Sequence, residues 1–186
     1  DGLTLTYYNA LFSTQPRSVF FVEPIAAVGN SVGFALAAMT IAVILGLLAS
    51  TFLAAEREKG TSNATLWDAI IMLPLATSAV TLGFGYIITL NKPPLNLRDS
   101  LALVPIAHAL VAFPFVVRCI LPSLRQIPQT LREAAALLGA SPLQVWRLVD
   151  IPIISRAILV GAVFAFSISM GEFGASAFVT RPHTPT

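Results

Sequence analysis

Charge is scarce in this chain. Only 11% of its 186 residues are charged and 56% are hydrophobic, whereas soluble globular domains carry roughly 25% charged residues. That deficit, with a mean hydropathy of +0.81, excludes an ordinary water-soluble domain and points to an integral membrane protein. The net charge of +2 is too small a surplus to recruit nucleic acid, so no nucleic-acid partner is expected. Cysteine is nearly missing. Cys119 stands alone, which rules out an internal disulfide and any cysteine-based zinc cluster, and its place near the end of an apolar run suits a buried thiol. Catalytic motifs are missing too: there is no H-E-x-x-H, no recognisable Ser/His/Asp set and no pair of intramembrane acids. The first 24 residues lack the basic start and apolar core of a secretory signal. The chain does not open on Met, and it reads as a piece of something longer.

What the sequence does have is long apolar runs. A helix needs about 20 mostly apolar residues to cross the hydrocarbon core. Four runs meet that need, at about 25–55, 69–91, 100–121 and 157–180. The third holds Arg118, which can snorkel, and the fourth is interrupted only by Glu172. Strand-like alternation is missing, and lipid offers backbone groups no partners, so the spans should be helical. The fold class is therefore all-α, a polytopic membrane helix bundle.

Loops at 56–68 and 118–156 carry Arg57, Lys59, Arg118, Arg125, Arg132, Arg147 and Arg156, while the opposite side carries Arg17, Lys92, Arg98 and Arg181. The positive-inside rule puts the first set in the cytoplasm. Both ends of the piece then lie outside, which leads us to expect at least one further span before residue 1. Small residues recur four apart at Gly29/Gly33, Ala42/Gly46, Gly161/Ala165 and Gly171/Ala175, a spacing that lets helix backbones approach closely. Pro74, Pro105 and Pro114 should kink the spans. Tyr7, Tyr8 and the stretch 19–22 would lie on the outer side and could belong to an interfacial helix.

The loop at about 122–156 departs from its surroundings. Thr130-Leu-Arg-Glu133 has the form of a capping box, with Glu133 in the first turn of a helix over 131–138. Gly139 can end that helix in the left-handed conformation. Ser141-Pro-Leu-Gln144 is a second capping box, with proline at the first helical position, opening a helix over 142–149 that Pro152 should stop. Leu137, Leu138, Val145, Trp146 and Leu148 would make its apolar face, with Arg132, Arg147 and Asp150 as a polar rim. On physical grounds this knob either lies on the membrane surface or docks a soluble partner.

Glu133-Ala134-Ala135, three residues, Gly139, nine residues, Val149, one residue and Ile151-Pro152 resemble the EAA loop of permeases of ATP-binding-cassette importers. Val149 and Ile151 stand where that family has Ile and Leu, and both keep an apolar side chain. Ala-Phe-Pro-Phe at 112–115 and Ser-Met-Gly-Glu-Phe-Gly at 169–174 most resemble ferric-iron and thiamine permeases. The resemblance implies the type I importer transmembrane fold (MetI-like), in part. It implies a multi-pass protein of the bacterial cytoplasmic (inner) membrane that works with a cytosolic ATPase dimer, a second permease half or subunit, and a periplasmic or extracellular substrate-binding protein. It implies ATPase-coupling residues Glu133, Ala134, Ala135 and Gly139, and a contacting helix of Ser141, Pro142, Leu143, Gln144, Val145 and Trp146. ATP–Mg would sit on the partner, since no G-x-x-x-x-G-K-[ST] loop occurs here, and no cofactor is expected in this chain. The chain would thus be a transport subunit and not itself an enzyme.

Ionisable residues within a span are expensive and usually face a bundle interior or a water path. Glu172 and His108 are therefore candidate pathway or gate residues, although His108 also suits a helix–helix hydrogen bond. Together they do not make a metal site without further donors. A proton-coupled secondary transporter using these two residues is the alternative function.

Overall fold

A computed structural model describes residues 24–58, 60, 63–90, 100 and 102–172. Tyr7, Tyr8, the stretch 19–22, the 92–99 loop, Ala175 and the fourth expected span beyond residue 172 lie outside the described residues. Among the described residues every regular element is helical: α1 (Pro24–Glu58), α2 (Asn63–Ala76), α3 (Ala79–Leu90), α4 (Leu103–Arg125), α5 (Gln129–Leu137), α6 (Pro142–Val145), a π-helical segment (Trp146–Asp150) and α7 (Ile151–Gly171).

Three of these helices are long and apolar enough to cross a membrane: α1, α4 and the continuous helix from Pro142 to Gly171. At about 1.5 Å per residue, the 35 residues of α1 span more than the hydrocarbon core, so its last turn reaches the interface. Arg57 sits in that turn, where the helix dipole favours a cation, and Gly60 at φ 66° closes the chain into a turn.

The second apolar run is not one straight rod. It divides into α2 and α3, bent by 98°. Pro74 cannot donate a helix bond, and Thr77 takes both the backbone N–H and the hydroxyl to the Pro74 carbonyl, at 3.4 and 3.0 Å. That side-chain bond competes with the helix and ends α2 at the break. α2 has no buried residue and so lies at the periphery of the bundle. Arg118 on α4 reaches Asp68 on α2 at 3.4 Å, a half-exposed pair worth no more than about 1 kcal/mol.

α4 packs against both α1 and α7, which also pack against each other. Its core face comprises Ala109, Ala112, Val116, Ile120 and Leu124, meeting Ala38 and Ala42 of α1 and Ile154 and Ala165 of α7. Two of the expected small-residue pairs do this work. A Cβ placed on Gly46 would lie 2.6 Å from Val116 Cγ1 and 2.8 Å from its Cβ, and one on Gly161 would lie 3.2 Å from Val116 Cγ1. Val116 therefore fills both notches at once. Gly29 and Gly33 behave differently: nothing lies within 4 Å of a Cβ at either position, and both face outward. Their small size is not used for packing within the described residues.

Many apolar side chains stay exposed, among them Ile44, Leu48, Leu159, Val163 and Phe164. In lipid this costs nothing, because hydrocarbon tails are as apolar as the side chains. Packing volume decides the bundle instead. Gly46→Ala should destabilise the protein by about 1–3 kcal/mol, the usual cost of overfilling a packed contact. Gly33→Ala should leave it unchanged or slightly stabilised, as helix propensity predicts. Thermal unfolding of both variants in the same detergent checks the pair, and equal midpoints would show that the Gly46 notch is not a constraint.

A capped helix pair at one end of the bundle

The loop of about 122–156 folds as two short helices joined by a sharp turn. α5 begins two residues earlier than the sequence suggests. Pro128 is its N-cap, in extended backbone, and no side chain caps it. Thr130 lies inside the first turn, and the Thr130/Glu133 capping box is not made. Glu133 falls beyond that turn. The reason is local: Pro128 already supplies the extended φ/ψ that precedes a helix, and Leu131 N–H closes onto its carbonyl at 3.1 Å.

Gly139 behaves as expected, at φ 87°. Its N–H donates to the Ala136 carbonyl at 2.9 Å, and Ala140 N–H to the Ala135 carbonyl at 3.1 Å. These are the two bonds of a Schellman motif. The second capping box is complete: Gln144 N–H donates to Ser141 Oγ at 3.4 Å, and Ser141 N–H donates to Gln144 Oε1 at 2.7 Å, with Pro142 in the first turn.

Pro152 does not stop the second helix. The chain runs helically from Pro142 to Gly171, through five π-helical residues where Ile151 N–H donates to the Trp146 carbonyl. A proline ring clashes with the carbonyl four residues back, and the wider π turn makes room for it. The short helix and the last span are thus one rod with a widened turn at its base.

The apolar residues divide by direction. Val145 is buried and Trp146 half-buried. Both line a cavity of about 420 Å³ between α1 and the helix pair, with Thr51, Ala54 and Ala136. Val145 therefore supports the element from within and is not itself a surface for a partner. Leu137, Leu138, Leu143 and Leu148 point outward, 89%, 90%, 71% and 69% exposed. Glu133, Ala134, Gly139, Ser141, Pro142 and Gln144 are exposed as well, and Ala135 is half-buried.

The expected polar rim is only partly a rim. Arg147 is exposed, but Arg132 and Asp150 turn inward. Arg132 Nε donates to Asp150 Oδ1 at 3.0 Å, and its Nη1 donates to Glu58 Oε1 at 3.0 Å. The Asp150 side chain is 9% exposed. Removing its partner would strand a nearly buried carboxylate, which typically costs 3–5 kcal/mol. Glu58, 74 positions before Arg132 in the chain, was not singled out from sequence; nothing local marks it.

At the opposite end, His108 is buried, and its Nδ1 shares a 2.8 Å hydrogen bond with Ser169 Oγ, which ties α4 to α7. Glu172 lies just past the last helical residue described. The helix ends at Gly171, and Glu172 is its C-cap at φ −81° and ψ 94°. It lies half-buried, within electrostatic reach of His108 and Tyr86.

The Ser141 box makes a local prediction. Ser141→Ala should cost about 1 kcal/mol, seen as roughly fivefold faster amide exchange at Gln144. Exchange at the α4 amides should stay unchanged, and equal exchange at Gln144 in both proteins would mean that the cap does not hold the turn.

Residues 46–183 match the family model described as "Binding-protein-dependent transport system inner membrane component". The chain is similar to a probable sulfate transport system permease protein of Anthoceros angustus, 31% identical over 175 residues, 86% of this chain and 60% of that protein. It is 31% identical over 163 residues to the molybdenum transport system permease protein ModB of Haemophilus influenzae, covering 82% of this chain and 70% of that protein. It is 28% identical over 163 residues to the putrescine transport system permease protein PotI of Escherichia coli, 87% of this chain and 58% of the relative. The chain spans 58–70% of the length of these relatives. Through three-quarters of its residues, including the whole capped helix pair and the rods that flank it, the chain belongs to the binding-protein-dependent transport system inner membrane component family, whose membrane-helix fold it shares.

Proposed function

We propose that the chain is the membrane-spanning part of an ATP-driven importer permease, and that α5 and α6 are where a separate ATPase drives it. The observation that carries this reading is the outward face of Leu137, Leu138, Leu143 and Leu148, held on α5, its closing turn, α6 and the π turn at the proposed cytosolic end of three packed spans. Exposed leucines on a rigid, well-capped surface fit a protein groove, where burial of apolar area supplies the affinity. The occupant is a cytosolic ATPase dimer carrying ATP–Mg. Glu133, Ala134, Ala135, Gly139, Ser141, Pro142, Leu143 and Gln144 flank or form the contact. A second permease half or subunit completes the pathway, and a binding protein outside delivers the solute, as the family description implies. The setting is the bacterial inner membrane.

The proton-driven alternative is not favoured. His108 already shares a hydrogen bond with Ser169, and the family works with binding proteins. For cargo, the resemblance noted from the sequence suggested ferric iron or thiamine. The relatives are named for sulfate, molybdenum, 2-aminoethylphosphonate and putrescine. We therefore propose a small solute taken from a binding protein, with sulfate and molybdate to be tested ahead of ferric iron and thiamine. Calorimetric titration of the neighbouring binding protein with each of the four identifies it.

Two predictions test the docking reading. Leu137→Glu with Leu143→Glu should weaken capture of the ATPase subunit about tenfold or more, since each charge must be desolvated on docking, while membrane insertion is unchanged. Full co-purification of the ATPase with this double variant would sink the assignment of the face. Gly139→Val forces a β-branched side chain into the left-handed region, and it should uncouple transport from ATP hydrolysis or prevent assembly. Normal assembly with full transport in that variant would remove the role given to the turn.

A further inference from the structure

We infer that Arg132 is the positioning residue that ties the docking helices to the spans, through Glu58 on α1 and Asp150 at the base of α7. The inference rests on the docking reading above and concerns how load leaves the docking surface. α5 has no buried residue, so apolar packing does not fasten it to the bundle. A cavity of about 420 Å³ lies between it and α1, and Arg132 lines that cavity with Glu58 and Asp150 on either side. The chain enters α5 through the turn at 126–128 and leaves it at Gly139, where φ is 87° and nothing lies within 4 Å of a Cβ. Ile127 anchors the first connection in the core and two backbone bonds close the second, so between these two ends α5 meets the bundle through polar contacts.

The guanidinium is the firm link across this gap. It makes two contacts of 3.0 Å in two directions, with 20% of the Arg132 side chain exposed. A planar guanidinium presents several N–H groups in a fixed fork and can hold two carboxylates on different elements at once. One of those carboxylates ends α1. The other belongs to the π turn that joins α6 to α7. A tilt of α5 between its two held ends must therefore break an ion pair or move both spans. The leucine face lies on the helix pair's outer surface, so Arg132 is free of the docking contact and acts through the elements it joins.

The test uses the complete complex with its ATPase subunit in lipid nanodiscs. Spin labels are placed at Thr130→Cys and Val163→Cys in a Cys119→Ser background, and the distance between them is measured by double electron–electron resonance. With Arg132 intact, one narrow distance population is expected both without nucleotide and with ATP plus vanadate. With Arg132→Met, the ATPase should still co-purify, and the distribution with ATP plus vanadate should widen about twofold or shift. An unchanged narrow distribution in Arg132→Met overturns the inference. If that variant fails to accumulate because Asp150 is stranded, Glu58→Gln carries the test, since Glu58 is 59% exposed and its loss strands nothing. Widening supports the link there too, and an unchanged width overturns it. Failure of the unaltered chain to co-purify with the ATPase overturns the docking reading itself, and that appears before any distance is measured.

Discussion

The contact of Val116 with two glycines sets the geometry on which the bundle depends. Gly46 of α1 and Gly161 of α7 each lack the carbon that would collide with it. Three helices can then share one crossing region, with alanines packed toward one end of it and Ile120, Leu124 and Ile154 toward the other. In water, a stripe of alanine and glycine would bury too little area to hold helices together. In lipid no hydrophobic force acts between helices, and close backbone approach becomes the main source of attraction. The exposed leucines, valines and phenylalanines along α1 and α7 are consistent with that setting, because the surrounding hydrocarbon solvates them.

The helix pair at the end of the bundle obeys different physics. Its local structure comes from hydrogen bonds: a Schellman turn at Gly139, a reciprocal capping box at Ser141 and Gln144, and the two ion pairs of Arg132. The widened turn at Trp146–Asp150 joins the two regimes. It accommodates Pro152 without ending the rod, so α6 and α7 form one continuous helix. In the docking role proposed above, caps would keep the short helices formed and the continuous rod would pass displacement on.

Some of this was legible in the chain order of the residues. Ser141-Pro-Leu-Gln144 and Gly139 announce their conformations because capping and left-handed turns are decided within four or five residues. The Thr130 box misled, since Pro128 two positions earlier supplies the same function. Pro152 misled because a π turn can absorb a proline, and nothing in the local pattern of residues marks where one will form. Glu172 was expected inside a span running to 180; α7 ends at Gly171 with Glu172 as its C-cap, and residues 173–180 lie outside the described residues. Gly29 and Gly33 share the spacing of Ala42 and Gly46, but only the latter pair meets a neighbour among the described residues.

By itself, the order of residues determined an all-helical membrane chain, which side of it is basic, and a capped two-helix element in the long loop. Those follow from apolar run length, charge asymmetry and short-range hydrogen bonding, all properties of neighbours along the chain. Only the tertiary structure decided that Val116 is the shared wedge, that His108 pairs with Ser169, and that Arg132 turns inward to Glu58 and Asp150. These partners lie 18 to 74 positions apart, and such meetings are set by how the helices cross. The crossing depends on the shapes of three surfaces at once, which no single stretch of sequence contains.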